Sequence, residues 1–225
     1  MDRDSEKKAA ALAAAARVRD GMRVGLGSGS TAAYAVRAIG ERVRAGLRIE
    51  AMATSIATRD LATQYGIPIV EVDALDLAID GADEVDAQRR MIKGGGGALL
   101  REKIVAHAAK ERVFVVDGSK TSAVLGRFPL PLEVLPFALP FVLRTLRELG
   151  RPGAVRVKDG APVLTDQQNQ LVDCAPRPIE DPAALARTLA DVPGVLAHGL
   201  FLTEADVVIV GQSDGSVRVE PSSRP

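Results

Sequence analysis

Short, largely apolar runs alternate with helical stretches through the first half of the chain, and the first run stops at a glycine turn. Residues 22–26 lead into Gly25-Leu26-Gly27-Ser28-Gly29-Ser30-Thr31, and residues 31–43 then have helical spacing. A strand, a tight turn and a helix in that order open a Rossmann-like sheet. The pattern recurs. Residues 47–53 read as a strand, 56–65 as a helix, 68–70 and 75–79 as strands, 98–110 as a helix and 112–116 as a strongly apolar strand. An alanine-rich helix over residues 5–19, with Ser5 placed to cap it, precedes them. Such alternation implies a mostly parallel sheet covered by helices on both faces.

The rhythm changes near Phe128, where residues 128–134 are extended and punctuated by Pro129 and Pro131. A helix over 141–149, strand-like runs at 154–158 and 162–172, a helix over 182–189 capped by Asp181, and a strand at 199–202 follow. Strand–helix–strand–strand–helix–strand is the order of a small ferredoxin-like α+β unit. Residues 205–211 and 216–220 then return as strands to the first sheet. The expected fold class is α/β, with a Rossmann-like catalytic domain over residues 1–127 and 205–225 and a small inserted domain over 128–204.

Charge and composition narrow the function. Lys+Arg and Asp+Glu both number 29, so neither a nucleic-acid nor a membrane-surface partner is expected. Cys174 is the single cysteine and His107 and His198 the two histidines, which leaves no intrachain disulfide and no thiolate or histidine-rich metal site. His107 reads as surface or structural. The N-terminal residues lack the apolar core of a signal peptide, and no apolar run reaches the ~18 residues of a membrane span. A soluble cytoplasmic protein is the expectation.

Four segments carry candidate chemistry. In the first, glycines expose successive N–H groups at a helix N-terminus and Ser28, Ser30 and Thr31 add hydroxyls, a combination that favours an anion such as phosphate, although a plain strand–helix turn has the same outline. It is neither the dinucleotide fingerprint nor a P-loop. The second, Asp80-Gly81-Ala82-Asp83-Glu84-Val85-Asp86, follows a strand; Asp80 and Asp83 can bind sugar hydroxyls or shuttle a proton, while a turn or a Mg²⁺ site are competing readings. The third runs from Lys93 through Gly94, Gly95, Gly96 and Gly97 into a helix carrying Glu102. Four adjacent glycines are costly to order, so close approach to a ligand is implied: their N–H groups can cup an oxyanion beside the Lys93 charge. The fourth is Asp117-Gly118-Ser119-Lys120, where Lys120 is either a phosphate contact or a solvated turn lysine.

Taken together, Gly27-Ser28-Gly29-Ser30-Thr31, Asp80 through Asp86, Lys93 through Ala106, Ser119-Lys120 and Thr165-Asp166-Gln167-Gln168-Asn169 closely resemble the ribose-5-phosphate isomerase A family, in order and over essentially the whole chain. The resemblance implies metal-free, cofactor-free interconversion of D-ribose 5-phosphate and D-ribulose 5-phosphate through an enediolate. It implies Glu102 as the proton-transferring base, Asp80, Asp83 and Lys93 as catalytic or substrate-contacting residues, and Ser28, Gly29, Ser30, Thr31, Gly94, Gly95, Gly96 and Lys120 as binding positions. It also implies a homo-oligomer, dimer or tetramer, and offers Lys7 as a further phosphate contact, with an exposed helical lysine as the alternative. Two departures stand out: Ser28 replaces a common Thr but keeps its hydroxyl, and Gln167-Gln168 replaces a more usual Asn-Gly. A sugar-phosphate sensor and a Mg²⁺-dependent phosphotransferase are the other readings; the first lacks a DNA-binding segment and the second a nucleotide signature.

Overall fold

The alternating part of the sequence folds as a six-stranded sheet in the order Glu50–Ala53, Arg23–Leu26, Leu75–Gly81, Ala109–Asp117, Val207–Gly211, Val217–Pro221. The computed structural model describes residues 3–221 of the chain. Every neighbouring pair is parallel except the last, an antiparallel hairpin at the edge. The inner strands are apolar on both faces because helices cover both, so they read as runs rather than as alternations. Leu26 lies level with Ala53 on one side and Ile79 on the other. From the strand Arg23–Leu26 the chain first moves to one side of the sheet and then to the other. That reversal opens a crevice at the carboxyl ends of Arg23–Leu26 and Leu75–Gly81, where open α/β sheets bind ligands.

Helix spacing explains the cover. Helix Ser30–Arg44 buries Ala32, Ala35, Val36, Ile39 and Gly40, a stripe at three- and four-residue intervals. Helix Arg3–Ala15 buries only alanines, Ala10, Ala11, Ala14 and Ala15, against a core of Val24, Leu26, Ile79, Val113, Val115 and Ile209. Ser5 falls inside this helix rather than at its start. The expected strand at 68–70 is reduced to one parallel bridge between Ala51 and Ile69.

The chain divides into two compact units: residues 3–82, Arg101–Thr121 and residues 204–221 form the first, and Asp83–Leu100 with Ser122–Thr203 form the second. This differs from the expected single insertion over 128–204, because the chain enters the second unit twice. The earlier passage is held by short strands. Glu84–Asp86 pairs with Met91–Ile92, which pairs in turn with Leu200–Phe201. Fully buried Glu84 adds a tie, accepting the backbone N–H groups of Gly126, Arg127 and Phe128 at 3.0, 3.3 and 3.0 Å.

The second unit's main sheet has the order Val195–His198, Leu130–Val134, Gln170–Cys174, Gly153–Val155, antiparallel throughout. Helices Leu139–Glu148 and Pro182–Ala190 complete the ferredoxin-like arrangement, the second capped by Asp181, which accepts the Ala184 N–H at 2.9 Å. Leu132, Val134, Val142, Leu146, Val172 and Leu189 fill its core. Two expected strands change. The run at 162–172 breaks: Ala161–Pro162 closes a hairpin with Val157–Lys158, and a turn with Gln168 at φ 64° follows. In that turn Thr165 Oγ1 and Asn169 Nδ2 donate to the fully buried Glu133 carboxylate at 2.9 and 2.8 Å. The strand expected at 199–202 is replaced by Val195–His198 in the main sheet, with Leu200–Phe201 pairing elsewhere. Among the described residues, no helix is long and apolar enough to cross a membrane.

Candidate active site

In the first unit the glycine turn is wedged against Asp80. The Gly27 N–H donates to Ile79 O at 2.8 Å and the Ser28 N–H to Asp80 Oδ1 at 3.1 Å. A side chain at position 27 would place its Cβ 2.1 Å from Asp80 Oδ1 and 2.5 Å from Asp80 Cα, so only glycine fits. Asp80, nearly buried, also accepts the N–H of Gly81 at 2.7 Å. The Ser28 hydroxyl turns inward to Thr54, Ser55 and Thr58 at 2.7, 2.7 and 3.2 Å. Thr54 and Thr58 in turn donate to Leu26 O and Gly27 O at 3.1 and 3.0 Å, so this hydroxyl cluster stitches the turn to the neighbouring strand and helix. Gly29 caps helix Ser30–Arg44 at φ 97° and has no side chain to occupy the first N–H groups. Gly29 and Ser30 are exposed and Thr31 half-buried, which leaves this end of the turn open to an anion.

Lys120 ends a short 3₁₀ turn after the strand Ala109–Asp117, at the same carboxyl edge of the sheet. The turn is fixed by buried Asp117, which accepts the Ser119 N–H at 3.0 Å, and by Glu6, which accepts the Gly118 N–H at 3.0 Å. The Lys7 side chain is only 19% exposed and its Nζ is 3.3 Å from Asp4 Oδ1, so it is not a freely solvated helical lysine. Glu102 is 5% exposed and lies in the first turn of helix Leu99–Ala108. That helix lies close on the first strand because Gly25 makes room: a Cβ there would be 2.5 Å from Val105 Cγ1. His107 is exposed, with Nε2 3.4 Å from Glu204 Oε1.

In the second unit the Lys93 N–H donates to Gly199 O at 2.9 Å. A Cβ on Gly199 would be 2.3 Å from Lys93 O, so the two backbones meet only because residue 199 is glycine. The Lys93 side chain is almost completely buried and its Nζ stands 5.5 Å from the centroid of the Phe201 ring, a cation–π contact that holds an ammonium in place. Gly94 and Gly97 adopt φ 101° and 83°, which favour glycine. The Gly95 N–H donates to Asp83 Oδ2 at 2.7 Å, and the Gly97 N–H to Gly94 O at 3.0 Å. The expected cradle of four amides is therefore narrower, since two serve the protein itself. Gly96 is exposed, and a Cβ on it would meet nothing within 4 Å.

The residues sequence reasoning missed are the partners of these loops. Arg156 Nη1 donates to Gly94 O and Gly95 O at 3.1 and 3.0 Å, and its other nitrogens grip Asp173 at 2.7 and 2.6 Å. Nothing local marks Arg156, Asp173, Phe201 or Thr58; Ser55 alone carries a sequence signal, as the N-cap of helix Ile56–Gln64. Two of the four carboxylates in the acidic segment are already engaged by the protein. Glu84 is taken by backbone N–H groups, and Asp86 accepts the N–H of Gln88 and of Arg90 and is paired with the Arg90 guanidinium at 2.6 Å. Among the described residues no three histidine, cysteine or carboxylate side chains gather closely enough to hold a metal ion.

A parallel sheet with an open glycine turn at its point of reversal, carried in one chain with a ferredoxin-like sheet, defines the class of α/β proteins that take small anionic ligands at their strand ends. A profile of the family Ribose 5-phosphate isomerase A (phosphoriboisomerase A) matches residues 50–215. The ribose-5-phosphate isomerase A of Sphingopyxis alaskensis is 51% identical over 213 residues, 93% of each chain. A solved ribose 5-phosphate isomerase A from Methanocaldococcus jannaschii is 39% identical, with a TM-score of 0.94 over 98% of this chain and 100% of that one. A D-ribose-5-phosphate isomerase solved in complex with phospho-erythronic acid is 36% identical, with a TM-score of 0.94 over 99% and 100%. The chain belongs to the ribose 5-phosphate isomerase A family.

Proposed function

We propose that this chain interconverts D-ribose 5-phosphate and D-ribulose 5-phosphate in the cytoplasm, as a homo-oligomer and without a metal or other cofactor. The observation that carries the reading is a sequence-contiguous set of buried charges flanking open backbone: almost fully buried Lys93, exposed Gly95 and Gly96 beyond it, then buried Glu102 in the first turn of the next helix. Burying charge costs free energy, so buried titratable side chains flanking an open, glycine-rich backbone mark a candidate site. Phospho-erythronic acid, the ligand of the solved relative, supports the reading because its planar carboxylate resembles the end of an enediolate carrying two oxygens.

In this reading Gly29, Ser30, Thr31 and Lys120 bind the phosphate, and Ser28 shapes their turn through its hydroxyl cluster. Asp80 and Asp83 hold sugar hydroxyls and pass the proton that opens the furanose ring. Glu102 then takes the C2 proton of the open aldose and returns it to C1, while a proton moves from O2 to O1; the product is the ketose, with no net oxidation. A carboxylate is a weak base for this step, so the barrier falls mainly through stabilisation of the oxyanion by Lys93 and the glycine-loop amides.

Purified protein should turn over both pentose phosphates in excess chelator; a loss that Mg²⁺ restores would sink the metal-free claim. Glu102→Gln should lower kcat by about 10³-fold while substrate binding stays within a few-fold, in line with a general base. A near-normal kcat in that variant removes Glu102 as the base.

A further inference from the structure

We propose that Arg156, locked by Asp173, is a positioning residue for the reaction: it aims the Gly96 N–H at the developing oxyanion. The inference rests on the isomerase reading above and adds a residue to it. Arg156 uses every edge of its guanidinium. Nε and Nη2 form a two-point grip on Asp173 at 2.7 and 2.6 Å, and Nη1 reaches the carbonyl oxygens of Gly94 and Gly95 at 3.1 and 3.0 Å. Backbone bonds fix the arginine where it stands between Gly153–Val155 and Val157–Lys158, with its N–H donating to Leu171 O at 2.8 Å and its carbonyl accepting from the Val163 N–H at 2.9 Å.

Peptide geometry turns this grip into an aim. All described peptide bonds are trans, so each carbonyl points opposite to the N–H of the next residue. Drawing the Gly94 and Gly95 carbonyls to one nitrogen therefore sends the Gly95 and Gly96 N–H groups to the other side. The Gly95 N–H meets Asp83 Oδ2 there at 2.7 Å, as this orientation requires. The Gly96 N–H points the same way from an exposed residue and has no partner among the described residues. Successive N–H groups turned to one side form an anion-binding concavity. Glycines alone would leave this loop free to rotate its peptide planes; the arginine removes that freedom before substrate arrives. A lysine at 156 could not do the same, since a point charge cannot hold a carboxylate and two carbonyls in one plane.

The test compares kinetics with the binding of two probes in wild type, Arg156→Lys, Arg156→Gln and Asp173→Asn. Ribitol 5-phosphate has the phosphate and hydroxyls without a carbonyl; 4-phospho-erythronate ends in a planar anion. The expected result is a fall in kcat of about 10–100-fold for either arginine variant, with KM and ribitol 5-phosphate affinity within about twofold and phospho-erythronate affinity falling in parallel with kcat. Asp173→Asn should move the same quantities in the same direction by less, and the double variant Arg156→Gln/Asp173→Asn should be no worse than Arg156→Gln alone. Unchanged kcat in Arg156→Lys, or equal losses of affinity for both probes, overturns the inference, because a merely structural arginine would not separate the probes. Absence of turnover in wild type instead defeats the isomerase reading itself.

Discussion

In the parallel-sheet unit a side chain at position 27 would drive its Cβ to 2.1 Å from the Asp80 carboxylate, whereas in the ferredoxin-like unit a Cβ at position 96 would meet open space. Both residues lie in glycine-rich turns attached to helices, and in sequence they look alike. The first turn is held by close packing. Gly27 lets Asp80 lie against the backbone, and the hydroxyls of Ser28, Thr54, Ser55 and Thr58 interlock behind it. The second turn is held by long side chains, with Asp83 on one side of its peptide planes and Arg156 on the other. Glycine thus answers two demands: where the protein fills the space, it is needed by the fold, and where the space is empty, the proposed reading gives that room to the sugar.

That difference is open to breakage at its strongest point. Gly27→Ala should destabilise the protein by about 3 kcal/mol, near the upper end for overpacking, because the clash involves the Asp80 backbone as well as its carboxylate. Urea denaturation would read this as a lower midpoint with an unchanged slope. A variant with wild-type stability would mean that the turn can shift to admit a methyl group, and the contrast with position 96 would collapse.

Gly96→Ala sharpens the same contrast from the other side. No neighbour opposes the added methyl and Gly96 has no positive φ to strain it, so thermal stability should stay within about 2 °C of wild type. The methyl would instead occupy substrate space, and kcat/KM should fall about 10–100-fold, equivalent to roughly 1.4–2.7 kcal/mol of transition-state stabilisation. Full activity in a stable Gly96→Ala enzyme would show that the exposed amide is not where the sugar reacts.

What is local in this molecule is legible in its sequence. Alternating apolar runs announce the parallel sheet, the strand–helix order announces the ferredoxin-like unit, and the glycine turns mark themselves by composition. What escapes is distant or short. Arg156 reaches carbonyls 62 and 61 residues away, and Ser28 meets Thr54, Ser55 and Thr58 across 26, 27 and 30 residues, separations that no window of periodicity spans. The early passage through the second unit leaves no pattern because Glu84–Asp86 and Met91–Ile92 are too short to show alternation. The turn at Thr165 reads as strand because its apolar flanks are strand-like; the buried Glu133 that bends the chain there lies 32 residues upstream.

Buried charge gives the comparison its smallest and most pH-sensitive test. The second unit gives one oxygen of the buried Glu133 carboxylate a hydroxyl and an amide donor, and leaves the other buried without one among the described residues. In the first unit, burial pulls Lys103 down to about 8, against the opposing attraction of Glu204. An ordinary lysine titrates near 10.5, so below pH 8 both folded and unfolded chains carry the proton and the fold bears the full cost of the buried ammonium. Between pH 8 and 10.5 the unfolded chain binds more protons, and stability therefore rises with pH through that window. Lys103→Met should accordingly stabilise the protein by roughly 1–2 kcal/mol at pH 7. That is less than the full electrostatic cost, at about 1.4 kcal/mol for each tenfold loss of proton affinity, because some solvent and Glu204 remain beside the ammonium. The gain should shrink toward zero by pH 10.5, where the wild-type lysine is neutral in the fold and half-neutral when unfolded. Denaturant midpoints at pH 7 and pH 10 measure both arms. A gain of equal size at the two pH values would assign the effect to methionine packing, and would remove the difference in how the two units house buried charge.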